Sequence, residues 1–182
     1  MPSSVRVLAF CGSLRQGSYN AAALEAAIEL APAGMTIERA EIGDFPLFNQ
    51  DVQAAGFPPA VERVAAQVRA ADAVLIATPE YNYSVPGVLK NALDWLSRLP
   101  DAPLGGKPAA IFGASPGVIG TARAQYHLRQ IGVSLNLRLL NKPEVMIGQA
   151  GQRFENGRLT DVPTREHLQK LLVALGDLAA AG

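Results

Sequence analysis

From Gly12 to Asn20 the chain reads Gly-Ser-Leu-Arg-Gln-Gly-Ser-Tyr-Asn, directly after an apolar run over residues 5–10. Ser13, Ser18 and Asn20 offer hydroxyl and amide donors, and Arg15 offers a guanidinium fork. Such a donor set suits phosphate oxygens, which favour charged and bidentate partners. The preceding residues read as a buried strand, and residues 18–30, rich in Ala, Leu, Ile and Glu, as a helix. A Gly/Ser loop between strand and helix adds unpaired backbone N–H groups and the positive end of the helix dipole. The segment predicts an anion site.

Spacing narrows the kind of anion. A nucleoside-triphosphate loop needs Lys and Ser/Thr after its second glycine, where this chain has Ser18 and Tyr19. A dinucleotide-binding turn needs Gly where Leu14 stands. A cysteine phosphatase built on Cys11 needs Arg where Gly17 stands. What survives is a monophosphate held by hydroxyls, amides and one arginine, with no nucleophile beside it. The phosphate of FMN fits that description. The plainer alternative is a turn that only caps its helix, with Ser18 as N-cap.

The elements that must position this loop alternate along the chain. Strands are predicted over 35–42, 73–78 and 108–114, and a fifth over 135–140 that resumes at 145–147. Between and after them, helices are predicted over 62–71, 88–99, 121–131 and 163–180, the last starting near Asp161 with Leu168, Leu171, Leu172, Leu175 and Leu178 inward. The run 73–78 is apolar throughout, as a central parallel strand should be. Five βα units in one domain over residues 1–182 predict an α/β, flavodoxin-like doubly wound sheet of order 2-1-3-4-5, helices on both faces. Its ligand belongs at the carboxyl ends of strands one and three, where strand order reverses.

A second unusual loop does follow strand three. Pro79-Glu80-Tyr81-Asn82-Tyr83 leads to Ser84-Val85-Pro86-Gly87, and the two prolines stiffen the display of the aromatic residues between them. Rings on a rigid loop suit a flat heteroaromatic ligand, and Asn82 with nearby amides suits its polar rim. After strand four, Ser115, Pro116 and Gly117 begin a loop of small residues that lets a ring approach the backbone, with Gly117 or Gly120 supplying positive φ. Phosphate, ring and polar rim are the parts of a flavin mononucleotide.

Composition excludes several other readings. The 182 residues carry 16 basic and 16 acidic side chains, so a nucleic-acid partner has no electrostatic support. No apolar run approaches a membrane span and no signal-peptide pattern opens the chain, which predicts a cytoplasmic protein with no membrane partner. One cysteine allows no internal disulfide and no cysteine metal cluster. Cys11 reads as a buried thiol, and His127 and His167 as structural histidines without catalytic partners. No metal site is expected.

The motifs G-S-L-R-x-x-S-x-N and P-E-Y-N-Y-S-V-P-G-x-L-K-N-A-x-D-W-L-S-R resemble those of the NADPH-dependent FMN reductase family, especially its bacterial chromate and quinone reductases. The likeness extends to G-V-I-G-x-A-R-x-Q-Y-H-L-R-Q at 117–130 and N-K-P-E at 141–144. The resemblance implies that Ser13, Arg15, Ser18 and Asn20, with Tyr19 among them, hold the FMN phosphate. It implies an isoalloxazine loop at Pro79, Glu80, Tyr81, Asn82 and Tyr83, and a third flavin loop at Ser115, Pro116 and Gly117. NADPH or NADH would reduce the flavin, and small-molecule acceptors such as quinones or chromate would reoxidise it in turn. Catalysis would centre on the flavin, with no catalytic side chain. A flavodoxin-like electron carrier and a non-catalytic flavin-binding module are the alternatives; a carrier wants an acidic docking face, which a neutral chain lacks.

A homodimer or homotetramer is also expected. Residues 43–57 carry Phe45, Leu47, Phe48 and Phe57, too apolar for a free loop, and the helix over 88–99 carries Leu89, Leu93, Trp95 and Leu96. A neighbouring subunit would cover them and help wall the site, with Arg123, Tyr126 and Glu144 adding a polar contact between dimers.

Overall fold

The computed structural model describes residues 4–181. Its main sheet joins β1 (Val5–Cys11), β2 (Met35–Ala40), β3 (Ala73–Ala77), β4 (Pro108–Ala114), β5 (Arg138–Leu139) and β6 (Val145–Ile147). Every pairing is parallel, in the order β2-β1-β3-β4-β5, with β6 also on β4. The expected fifth strand is two pieces. β5 pairs with Pro108 and Ala109, whereas β6 pairs with Phe112, Gly113 and Ala114. All residues of β3 and β4 are buried, which explains their unbroken apolar sequence.

Alternation along the strands sorts side chains into two cores. Val7, Ala9, Leu75 and Phe112 pack under α1 (Tyr19–Glu29) and α6 (Val162–Ala180). Leu8, Phe10, Val74 and Ile76 pack under α3 (Pro59–Ala70), α4 (Gly87–Leu96) and α5 (Ala122–Ser134). Asp161 caps α6 by accepting from Thr164 N at 3.0 Å. Leu168, Leu171, Leu172 and Leu175 of that helix are buried, but Leu178, two residues before its end, is only half-buried. Three small elements carry too little periodicity to be read in advance: α2 (Gln50–Ala54), a 3-10 turn at Ala150–Gln152, and the hairpin of β7 (Phe154–Glu155) and β8 (Arg158–Leu159).

The apolar segment 43–57 does not wait for a neighbour. It folds over α4 of its own chain, burying Phe45 and bringing the rings of Phe48 and Phe57 to 5.1 and 6.3 Å from Trp95. Trp95 Nε1 and Asn91 Nδ2 both donate to Pro46 O, at 2.8 and 2.9 Å, and Asn91 Oδ1 accepts from Phe48 N at 2.8 Å. Leu89, Leu93, Trp95 and Leu96 are all fully covered. The two apolar features taken as evidence for a second subunit are therefore satisfied internally, because the segment and the helix cover one another. Of the segment's large apolar side chains, Leu47 stands well out at 84% exposed and Val52 less so at 40%.

Trp95→Ala should lower unfolding stability by about 3–5 kcal/mol, the usual loss for truncating a large buried aromatic. Urea unfolding followed by far-UV circular dichroism measures it, and a change below about 1 kcal/mol would show that segment 43–57 is not anchored on this ring.

Candidate active site

The first loop leaves β1 with Gly12 N donating to Ala77 O of β3 at 2.8 Å. A Cβ at Gly12 would lie 2.9 Å from Pro86 Cγ and 3.1 Å from Pro79 Cδ, so the first loop rests directly on the prolines of the second. Ser13 is buried and Arg15 is exposed. Ser18 caps α1, its Oγ accepting from Asn20 N at 3.2 Å and Ala21 N at 3.3 Å. A serine hydroxyl also carries one proton to donate, so capping the helix and holding an anion are compatible. The Tyr19 ring sits 5.0 Å from that of Phe154 and 5.8 Å from the Arg15 guanidinium carbon.

Asn20 differs from the simple donor that its place in the motif suggests. It is buried, its Nδ2 donates to Ala114 O at 2.9 Å, and its Oδ1 accepts from Ala114 N at 2.8 Å. The amide thus ties the start of α1 to the end of β4, with one N–H left over.

In the second loop, the Glu80 carboxylate turns to α5. It accepts from Ala124 N at 3.0 Å and meets Arg123 Nη1 at 3.4 Å. A carboxylate there satisfies an orphan N–H and the helix dipole. Tyr81 and Ser84 then exchange backbone hydrogen bonds at 3.1 and 3.0 Å around Asn82 (φ 50°) and Tyr83 (φ 66°). That is a two-residue hairpin turn with both central residues left-handed. The Arg123 guanidinium lies 3.9 Å over the Tyr83 ring, and Ser84 Oγ lies 3.0 Å from His127 Nδ1. His127 therefore has a partner that spacing along the chain did not reveal. The hairpin is gripped by successive turns of α5.

In the third loop, Ser115 N donates to Ile147 O at 2.9 Å, and Ser115 Oγ accepts from Gly117 N at 3.1 Å. A side chain at Gly113 would collide with Thr78 O and Thr121 Oγ1, which explains the absence of a larger residue before this loop. Positive φ falls to Gly120 (63°) and not to Gly117, as the chain turns into α5.

The three loops enclose one cleft of about 200 Å³. Ser13, Arg15, Ser18, Tyr19 and Asn20 line it from the first loop, Pro79, Glu80 and Tyr81 from the second, and Ser115 and Pro116 from the third. Asn82, Tyr83 and Gly117 lie on the same loops but outside its lining. Ala114 joins the wall unforeseen: an alanine has no chemical signal beyond its place at a strand's carboxyl end. Tyr81 and Tyr83 remain largely exposed. Arg123 and Glu144 are engaged within the chain, Glu144 by Lys142 Nζ at 3.0 Å and Arg129 at 3.9 Å. His167 Nε2 meets Glu144 O at 2.9 Å, a structural contact.

Among the described residues no group of His, Cys, Asp and Glu could hold a metal ion, and no helix is long and apolar enough to cross a membrane. Cys11 is buried at the end of β1 with Sγ 3.5 Å from Ser13 O, and burial pushes its thiol pKa up. That is opposite to the activation a nucleophilic thiolate needs.

A reversed strand order, a donor-rich cleft at that reversal and aromatic residues at its mouth define a flavodoxin-like mononucleotide-binding protein. Residues 5–152 match the family described as NADPH-dependent FMN reductase, and the chain belongs to it. It is 61% identical over 176 residues to an NAD(P)H-dependent FMN reductase of Pseudomonas aeruginosa, covering 96% of this chain and 95% of that one. It is 50% identical over 181 residues to a quinone reductase of Escherichia coli K12, covering 97% and 96%. Among solved structures, the flavoenzyme NAD(P)H:(acceptor) oxidoreductase FerB of Paracoccus denitrificans superposes with a TM-score of 0.88 at 36% identity, covering 97% of this chain and 98% of that one.

A buried thiol of raised pKa should resist an aromatic disulfide reagent at neutral pH in the folded protein and react stoichiometrically once denatured. Rapid labelling of native protein would contradict this placement of Cys11.

Proposed function

We propose that the cleft holds FMN and that the chain is a flavin-dependent NAD(P)H oxidoreductase. It would deliver reducing equivalents from NADPH or NADH to quinones, and to chromate or similar small acceptors. The observation that carries this reading is the donor set of the first loop. Two buried hydroxyls, the Arg15 guanidinium and the N-terminus of an eleven-residue helix converge on one wall of the cleft. Arg15 enters no ion pair among the described residues, so its charge is available. The one carboxylate in the lining, Glu80, is turned to α5. A phosphate monoester fits this chemistry.

FMN, when bound, supplies the two-electron chemistry between coenzyme and acceptor. The protein's part is to bind, orient and exclude. Ser13, Ser18 and Arg15 hold the phosphate, and the free Asn20 N–H supplements them. Pro79, Glu80 and Tyr81 present backbone along one side, and Ser115 and Pro116 along the other. Asn82 and Tyr83 stand at the open mouth, where they select what approaches. No side chain is needed as acid, base or nucleophile. The names of the relatives, FMN reductase and quinone reductase, support this activity over a carrier or a non-catalytic module. So does the zero formal net charge, since a carrier docks through a charged face.

We further read the working protein as a cytoplasmic homodimer or homotetramer. Leu14, Tyr81, Tyr83 and Tyr126 remain more than half exposed, and symmetric association is the usual way such surface is covered.

Heat release should yield FMN by mass, because among the described residues one cluster of phosphate donors borders the ring loops; stoichiometric FAD would sink the assignment. Arg15→Ala should weaken FMN retention by about 1.5–3 kcal/mol, the worth of hydrogen bonds to a charged group. Unchanged retention by equilibrium dialysis would mean that Arg15 serves another ligand.

With coenzyme and acceptor using the same mouth in turn, double-reciprocal plots at several quinone concentrations should be parallel. Intersecting lines would instead require both to be bound together.

A further inference from the structure

The ladder between β3 and β4 stops short of the end of β4. Its last pair is Ala77 with Phe112, and its last bond runs from Thr78 N to Phe112 O at 2.9 Å. Beyond that point the chain turns off at Pro79, which has no N–H to donate, while β4 runs on to Ala114. In a parallel ladder the N–H and C=O of one residue point to the same neighbouring strand, and those of the next residue to the other. Ala114, two residues past Phe112, therefore aims both groups into the gap that β3 has left. Asn20 reaches into this gap from α1 and offers the donor and the acceptor of a peptide group. Asn20 and Ala114 are each 3% exposed, so water is a poor substitute for either bond.

The gap is also where the cleft opens. Asn20 and Ala114 both line it, between Pro79, Glu80 and Tyr81 on one side and Ser115 and Pro116 on the other. The backbone of Ser115 is committed away from the cleft, its N–H to Ile147 O at 2.9 Å and its C=O to Ala150 N at 3.1 Å. Its Oγ accepts from Gly117 N and keeps one proton to donate. We propose that Asn20 is a positioning residue for the ring end of the flavin. Standing in for the missing strand, it fixes Ala114, and through Ala114 the wall of Ser115 and Pro116 against which the isoalloxazine lies. Its place in the chain, among the phosphate donors, suggests the opposite end of the ligand. The inference rests on the FMN reading above and assigns this residue its part in it.

Equilibrium dialysis of the full chain against FMN and against riboflavin, which has the ring but no phosphate, separates the two ends. Asn20→Ala should weaken riboflavin binding at least about fivefold, the worth of one hydrogen bond, and FMN binding by a similar factor. Arg15→Ala should weaken FMN binding and leave riboflavin within about twofold, because its charge serves the phosphate. At saturating FMN, the visible flavin band of Asn20→Ala should be displaced from that of the parent protein, and the band of Arg15→Ala should coincide with it. Should Asn20→Ala fail to fold, Asn20→Asp carries the same test, since an ionised carboxylate accepts from Ala114 N but cannot donate to Ala114 O. A smaller riboflavin loss in the Asn20 variant, a flavin band identical to the parent's, or no riboflavin binding by a parent protein that binds FMN would each overturn the proposal. If the parent protein binds neither flavin, the FMN reading itself fails.

Discussion

The site depends on one reciprocal pair of hydrogen bonds, between the Asn20 side chain and both backbone groups of Ala114. They join residues 94 positions apart, at the first turn of α1 and the last residue of β4, across the end of β3. Both partners are buried, so neither can exchange the other for water, and losing one would strand two backbone groups. The other constraints build outward from this clamp. Gly12 lets the first loop lie on Pro79 and Pro86, and Ser115 N anchors the third loop to β6 through Ile147 O. A cradle assembled this way exists before its ligand arrives, so little ordering remains to oppose binding.

Electrostatics in the cleft follow from where the acids were put. Glu80 lies among the lining residues yet directs both oxygens to the first turn of α5 and Arg123. There it offsets the dipole of α5 and leaves the dipole of α1 as the unopposed field at the cleft. The same arrangement binds the second loop to α5, because Arg123 also stacks on Tyr83 and His127 reaches Ser84. The left-handed pair Asn82 and Tyr83 would otherwise be a strained tip; it is held by contacts on one helix face.

Strand order and site location were legible in the sequence because β3, which meets β1 at the reversal, and its neighbour β4 are buried on both faces and carry unbroken apolar runs. The loops were legible because their chemistry is local. What escaped was long-range. Asn20 looks like any other donor until Ala114 is beside it, and Glu80 looks like a lining carboxylate until α5 is in place. The phenylalanines of segment 43–57 pointed outward on paper, because nothing in local spacing shows that Trp95 and Asn91 receive them. The small hairpin of β7 and β8 was silent for a different reason: two-residue strands carry no period.

The divided strand at the far edge of the sheet bears on behaviour in concentrated solution. A long, regular edge is a template on which foreign strands polymerise. Here the outermost ladder is broken into β5 and β6, of two and three residues, with Leu140 to Glu144 looping out between them. An approaching chain would find only a few amides in register before the ladder failed. The sheet therefore ends at that edge, and aggregation by strand addition has no foothold there.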